Sequence, residues 1–246
     1  MKRSLYKLSI ILVFLQMTFV KMNNPPYFEL DVSIAKFKVI KNGNSNRKFI
    51  WLHGDEKTAK MALEYHIERY PGTAYLIEND SREINIRDGI IDPNRIFSKA
   101  GAKKNLNKYN PYWSRDKKKT VLDSISSART ILFKELFSDQ ESIVISLHNN
   151  YKGYNIRSEI NNSDEISIKK NQNPRDFFLC TNENDYNILA KSPFNAVLQK
   201  STPSTDDGSL SWAALAKKTR YINIETRLGW LSVQKKMLKY LEENIH

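Results

Sequence analysis

The chain has 246 residues, of which 39 are Lys or Arg and 27 are Asp or Glu, so its formal net charge is +12. Hydrophobic residues make up 40% and charged residues 27%, which excludes an intrinsically disordered chain and favours one globular domain. A single cysteine, Cys180, excludes an internal disulfide and a cysteine-based zinc site.

The amino terminus has the pattern of a secretory signal. Three Lys or Arg residues precede an uncharged apolar run over residues 8–20, which is short for a bilayer span but fits the core of a signal. We therefore predict a signal peptide over 1–22, a catalytic domain over 27–246, and a periplasmic or secreted protein. An uncleaved amino-terminal anchor is the alternative, and only this anchor would bring the chain to a membrane.

Downstream, hydrophobic periodicity predicts strands that alternate with helices. In chain order the predicted elements are a strand over 47–52, a helix over 58–70, strands over 74–77 and 83–87, a helix over 120–137, strands over 142–147 and 177–180, a helix over 186–199 that Pro193 interrupts, a strand over 221–225 and a helix over 230–245. This order predicts an α/β fold: a single domain with a mixed, largely parallel central sheet flanked by helices.

Two histidines and a glutamate stand where predicted strands end. His53 and Glu56 follow the strand over 47–52, and His148 follows the strand over 142–147. Two imidazoles and one carboxylate form a ligand set that holds catalytic zinc and leaves a position for water. Taken singly, Glu56 could cap the following helix, and each histidine could be an ordinary polar residue at a strand end.

Two further segments carry polar groups suited to catalysis or binding. Asn94 and Arg95 lie in a loop, where an amide and a planar guanidinium can bind a carboxylate, although Arg95 could instead brace the loop. Glu225 ends an alternating strand and could act as a general base. Its alternative is a surface acid paired with Arg227.

Taken together and in this order, these motifs resemble the zinc carboxypeptidase superfamily, and most of all its aspartoacylase and succinylglutamate desuccinylase branch. The resemblance covers about residues 47–240. It implies one zinc ion (Zn²⁺) bound by the two histidines and the early glutamate, with the late glutamate as general base and the Asn-Arg pair as the anchor for a substrate carboxylate; the residues are His53, Glu56, His148, Glu225, Asn94 and Arg95.

The resemblance also implies a catalytic arginine that polarises the scissile carbonyl. Arg87, seven residues before Asn94, is the candidate, and Arg82 is the rival. The family's carboxypeptidases carry a tyrosine some twenty residues before the late glutamate, whereas no tyrosine lies between Tyr186 and Tyr221 here. The stretch 204–211 is predicted to form a different lid or specificity loop.

We therefore expect a zinc metallohydrolase, of metallocarboxypeptidase or amidohydrolase type, that cleaves an amide or peptide bond next to a free carboxylate. The substrate would be a peptide, from the cell wall if the enzyme is exported, or an acylated amino acid. An N-acyl amino acid deacylase of the aspartoacylase type and a catalytically silent peptide- or carboxylate-binding domain remain alternatives. Nucleic acid is not expected, because the basic residues are scattered and the densest run, 115–119, is interpreted as a solvated loop before a helix.

Overall fold

A computed structural model describes residues 25–139, 141–151 and 153–246, and the predicted signal peptide lies outside them. The strands are β1 (Tyr27–Asp31), β2 (Lys36–Asn42), β3 (Arg47–Trp51), β4 (Gly72–Ile77), β5 (Ile84–Ile86), β6 (Gly89–Ile91), β7 (Ile143–Asn150), β8 (Glu165–Ser167), β9 (Phe177–Cys180), β10 (Asn195–Leu198) and β11 (Arg220–Arg227). The helices are α1 (Lys57–Ile67), α2 (Lys99–Tyr109), α3 (Arg115–Phe137), α4 (Glu183–Leu189), α5 (Leu210–Lys217) and α6 (Leu231–Asn244).

One nine-stranded sheet, in the order β1-β2-β4-β3-β7-β11-β9-β10-β8, forms the centre of the described domain. The central neighbours β4, β3, β7 and β11 are parallel, and so are β9 and β10. The remaining neighbours are antiparallel, including β9 against β11. The predicted α/β fold with a mixed sheet flanked by helices is therefore confirmed.

Alternation of side chains along β7 assigns the helices to the two faces of the sheet. The Asn149 amide oxygen accepts from the backbone of α1, and its amide nitrogen donates to Gln234 of α6, so these helices cover one face. On the other face, Tyr75 of β4 donates its hydroxyl to Glu135 of α3. Tyr75 is in register with Ile50 of β3, and Ile50 is in register with Ser146 of β7, so Tyr75 and Ser146 lie on the same face of the sheet. Helix α3 covers part of this second face, and side chains of β11 on the same face form the floor of a cavity.

Three local predictions were wrong. Strand β7 continues to Asn150 because its pairing with β11 continues and its asparagines find side-chain partners, so His148 lies inside the strand and not at its end. Residues 195–198 form β10 instead of continuing a helix, since this short, wholly buried run carries no helical period. Residues 115–119 begin α3 instead of forming a loop, because the Ser114 hydroxyl caps the backbone of Lys117.

Several elements escaped the periodicity analysis altogether: β1, β2, β6, β8, α2 and α5. In the described part of the chain, the longest helices are too polar to cross a bilayer.

Candidate metal centre and active site

Three buried side chains near the carboxyl ends of β3 and β7 form a group that could hold a metal ion. One ligand atom from each of His53, Glu56 and His148 lies within 4.8 Å of the others. The Glu56 carboxylate bridges the histidines: Oε1 is 2.8 Å from His53 Nδ1, and Oε2 is 3.0 Å from His148 Nδ1. All three residues are buried. Two imidazoles and one carboxylate, with their ligand atoms turned toward one another, are a donor set that fits zinc.

The turn between β3 and α1 brings two of these ligands together. Gly54 follows His53 directly, and a Cβ at this position would lie 2.2 Å from the backbone oxygen of Asn79. Only glycine therefore lets the turn pass so close to the segment after β4. Helix α1 then begins directly after Glu56, so the spacing of three residues places the imidazole and the carboxylate side by side.

Asp92 belongs to this centre, and the sequence analysis missed it. The second ring nitrogen of His53, Nε2, is 2.9 Å from Asp92 Oδ1. The same oxygen accepts from the backbone N–H of Asn94 at 2.8 Å. Metal-binding histidines commonly donate their other N–H to a carboxylate, which fixes the orientation of the ring. The available signal was the position of Asp92 in the same loop as the Asn-Arg pair.

The carboxylates of the centre favour a positive charge between them. Burial alone would lower the pKa of His53, but the hydrogen bonds and charges of Asp92 and Glu56 outweigh it and raise the pKa to about 9. Burial likewise opposes ionisation of Glu56, yet the charges and hydrogen bonds of His148 and His53 hold its pKa well below the usual range. Two buried carboxylates need a cationic partner, and a divalent ion at this position would supply the charge.

A further buried carboxylate, Glu225, lies on the neighbouring strand. Its backbone is in register with His148 across the β7–β11 pair. Asn223 Nδ2 donates to Oε1 at 3.1 Å, and Asn150 Nδ2 donates to Oε2 at 3.1 Å. Burial raises the pKa of Glu225; His148 opposes this rise, and the charge of Glu56 adds to it. A carboxylate with a raised pKa beside a metal group can accept and return a proton.

The two candidate arginines occupy different environments. Arg82 lines the cavity and donates from Nη1 to Glu56 Oε1 at 3.0 Å. Arg87 is exposed, does not line the cavity, and has a φ of 56° in the turn between β5 and β6. The structure therefore brings Arg82 to the site and leaves Arg87 outside the cavity.

The Asn-Arg pair reaches the cavity, where both side chains contact the loop before α5. Asn94 Oδ1 accepts from the backbone of Leu210 at 3.0 Å, and Arg95 Nη1 lies 3.3 Å from Asp207 Oδ2. Gly208 has a φ of 77°, and a Cβ there would lie 2.4 Å from the backbone oxygen of Arg95. The loop over residues 199–209 therefore packs closely against the predicted carboxylate anchor, as a lid over this end of the cavity.

One cavity of about 600 Å³ joins these groups. It is lined by the three candidate metal ligands, by the base candidate and by the Asn-Arg pair with Arg82; these residues are His53, Glu56, His148, Glu225, Asn94, Arg95 and Arg82. Of the residues proposed from the sequence, only Arg87 lies elsewhere. The long-range convergence depends on strand order, because β3, β7 and β11 are consecutive neighbours in the sheet.

Known structures with a similar chain path include a succinylglutamate desuccinylase/aspartoacylase from Rhodobacter sphaeroides, at 14% identity and a TM-score of 0.45 over 85% of this chain. The chain spans 58% of the length of that protein. A protein provisionally named a metallopeptidase, from Shewanella denitrificans, is 8% identical over 88% of this chain, which spans 82% of that protein, at a TM-score of 0.45. A second protein with the same provisional name, from Shewanella baltica, is 12% identical over 91% of this chain, which spans 88% of that protein, also at a TM-score of 0.45.

No family model matches the sequence, and no curated protein is similar to it. The Rhodobacter sphaeroides protein carries the name of the branch that the sequence motifs resemble.

Proposed function

We propose that the protein is a zinc-dependent hydrolase that cleaves an amide or peptide bond next to a free carboxylate. The observation that carries this proposal is the convergence of His53, Glu56 and His148 on one point, beside the separate buried carboxylate of Glu225. A zinc ion, when bound, polarises a carbonyl and increases the acidity of a water molecule. Asp92 would hold the His53 ring in its ligating orientation.

The other residues of the cavity have matching roles in the proposed reaction. Glu225 accepts a proton from the attacking water and later delivers it to the leaving nitrogen, and its two asparagine partners keep the carboxylate in place. The Arg82 guanidinium, which lies against Glu56, stabilises negative charge that develops on the substrate carbonyl oxygen. Asn94 and Arg95 bind the substrate carboxylate, which replaces Asp207 as the partner of the guanidinium.

An N-acyl amino acid deacylase is the second candidate. The lid supports it, because the lid residues that line the cavity are Gln199, Pro203, Thr205, Asp207 and Ser209, and the tyrosine of the carboxypeptidases has no counterpart among them. A silent carboxylate-binding domain would have no chemical use for Glu225.

The apolar run over 8–20 supports export and cell-wall peptides as substrates. Mass spectrometry of the mature amino terminus tests export: an intact Met1 in a soluble fraction would exclude it.

The test combines metal analysis with turnover. Purified protein should contain about one zinc per chain, as expected for a three-ligand site, and His148→Ala should lose it while a His246→Ala control keeps it. Glu225→Gln should keep the metal and lose turnover by at least about 100-fold, with the exposed Glu243→Gln variant as its control. Substrates should be peptides and N-acyl amino acids, with and without chelator. Normal zinc content in His148→Ala would refute the metal assignment.

A further inference from the structure

The cavity extends well beyond the metal group along the face of the sheet. Glu225, Asn223 and Tyr221 alternate along the same face of β11, and all three line the cavity. Four residues of strand correspond to about 13 Å, so the floor continues that far from the base candidate. Leu179 of β9 lies beside Asn223 in the middle of this floor, and Gln199, which follows β10 directly, lines the far end.

The hydroxyl hydrogens on this floor are committed to neighbouring protein atoms. Ser146 Oγ donates to Asn223 Oδ1 at 3.0 Å, because the amide nitrogen of Asn223 already donates to Glu225. The Tyr221 hydroxyl, 2.6 Å from Ser146 Oγ, is therefore the donor in that contact. Since a hydroxyl has one hydrogen, the Tyr221 oxygen offers only lone pairs to the cavity.

The 3-10 helix Ile156–Asn162 borders the far end through the contact of Asn162 with Gln199, and its cavity side has the same character. Tyr154 donates its hydroxyl to Glu159 Oε1 at 2.7 Å, and both residues line the cavity. Among the described residues, no basic side chain forms an ion pair with Glu159. Gln199 Nε2 donates to the backbone of Asn162, while its buried Oε1 finds no partner in the described part of the chain. This end therefore offers acceptor atoms from the Tyr221 hydroxyl, the Glu159 carboxylate and Gln199 Oε1.

The basic side chains that line the cavity already have carboxylate partners. Its cationic lining residues, Arg82 and Arg95, each contact a carboxylate near the metal group or the lid. Neither arginine forms an ion pair with Glu159, and Leu179, in register with Asn223, offers an aliphatic surface between the base candidate and the far end. An acidic end with spare acceptors, reached past an aliphatic side chain, suits a cation on a methylene stem.

We propose that the far end of the cavity binds a basic side chain of the substrate, an alkylammonium or a guanidinium group, with Glu159 as its main partner. This inference rests on the proposed function for the position of the scissile bond, and it narrows the substrate to peptides or acyl amino acids with a basic residue on the leaving side. Glu159 is then a specificity-determining residue with no part in the chemical step.

Binding of free amino acids tests the proposal without turnover. Calorimetry on the zinc-loaded protein should show that arginine or lysine binds at least tenfold more tightly than norleucine or glutamate, because a charged hydrogen bond is stronger than a neutral contact. Glu159→Gln should remove this preference and leave norleucine binding unchanged. Glu165→Gln, an exposed acid on nearby β8, is the matched control and should keep the preference. Equal binding of arginine and norleucine to the unmodified protein would overturn the proposal.

Charge reversal and turnover complete the test. Glu159→Lys should transfer the preference to glutamate, and a retained arginine preference in that variant would also overturn the proposal. With peptides that differ only in the leaving residue, Glu159→Gln should raise KM for the basic peptide and leave kcat unchanged. Arginine selectivity without any cleavage would refute the hydrolase and support the subsite; cleavage without basic preference would support the hydrolase and refute the subsite.

Discussion

Replacing Asp92 by asparagine tests the link between the loop after β6 and the metal group. In the structure, Asp92 Oδ1 accepts from His53 Nε2 at 2.9 Å and from the backbone of Asn94 at 2.8 Å. Asparagine keeps an oxygen acceptor of similar shape but removes the charge. The difference between a charged and a neutral hydrogen bond is about 1–1.5 kcal/mol, which predicts a roughly tenfold loss of zinc affinity for Asp92→Asn.

Asp92→Ala should have the larger effect. It removes the oxygen that accepts both hydrogen bonds, so the His53 ring loses its orientation and the 3-10 helix Pro93–Arg95 loses its cap. The loss of zinc affinity should then approach the upper end of the usual range for such partners, about 100-fold. Asp88→Asn removes an exposed carboxylate that pairs with Lys117, and it should leave zinc affinity unchanged.

The assay is competition with a chromophoric chelator at fixed pH, with circular dichroism to confirm that each variant is folded. The expected order of zinc affinity is unmodified protein and Asp88→Asn first, then Asp92→Asn, then Asp92→Ala. A folded Asp92→Ala protein that binds zinc as tightly as the unmodified protein would show that His53 is not a ligand held by Asp92.

Three further predictions concern the cavity. Because burial raises the pKa of Glu225 above the usual value for a glutamate, kcat/KM should fall as pH decreases through that raised pKa, and a profile unchanged in Glu225→Gln would exclude this carboxylate as the titrating base. Arg82→Ala should lower kcat by about 100-fold or more, as loss of an oxyanion donor does, whereas Arg87→Ala should leave kcat unchanged. If steady-state kinetics gave the opposite ranking, Arg87 would be the residue that stabilises the substrate carbonyl oxygen. Asp207→Asn should lower KM by at most about fivefold, because its half-exposed pair with Arg95 contributes little, and a raised KM would mean that Asp207 helps to bind substrate.

The elements with strong local signals could be predicted from the sequence. The strand β3, the turn at Gly54 and the helix α1 follow one another within a short stretch, so the spacing of His53 and Glu56 alone places them on one side of a turn. Long amphipathic α3 was also predicted, because its buried positions recur at the helical period. Strand β10 was missed, since a short and fully buried apolar run is the same in a strand and in a helix.

The convergence of the site depended on tertiary structure. Residue types and their order indicated a metal group, because a His₂Glu set has few other chemical uses in a single cavity. The sequence could not show that Asp92 contacts His53, that Arg82 reaches Glu56 while Arg87 does not line the cavity, or that Glu159 lines the same cavity as the metal group. Each of these depends on strand order and on the direction of a turn, which are set by pairing between segments far apart in the chain.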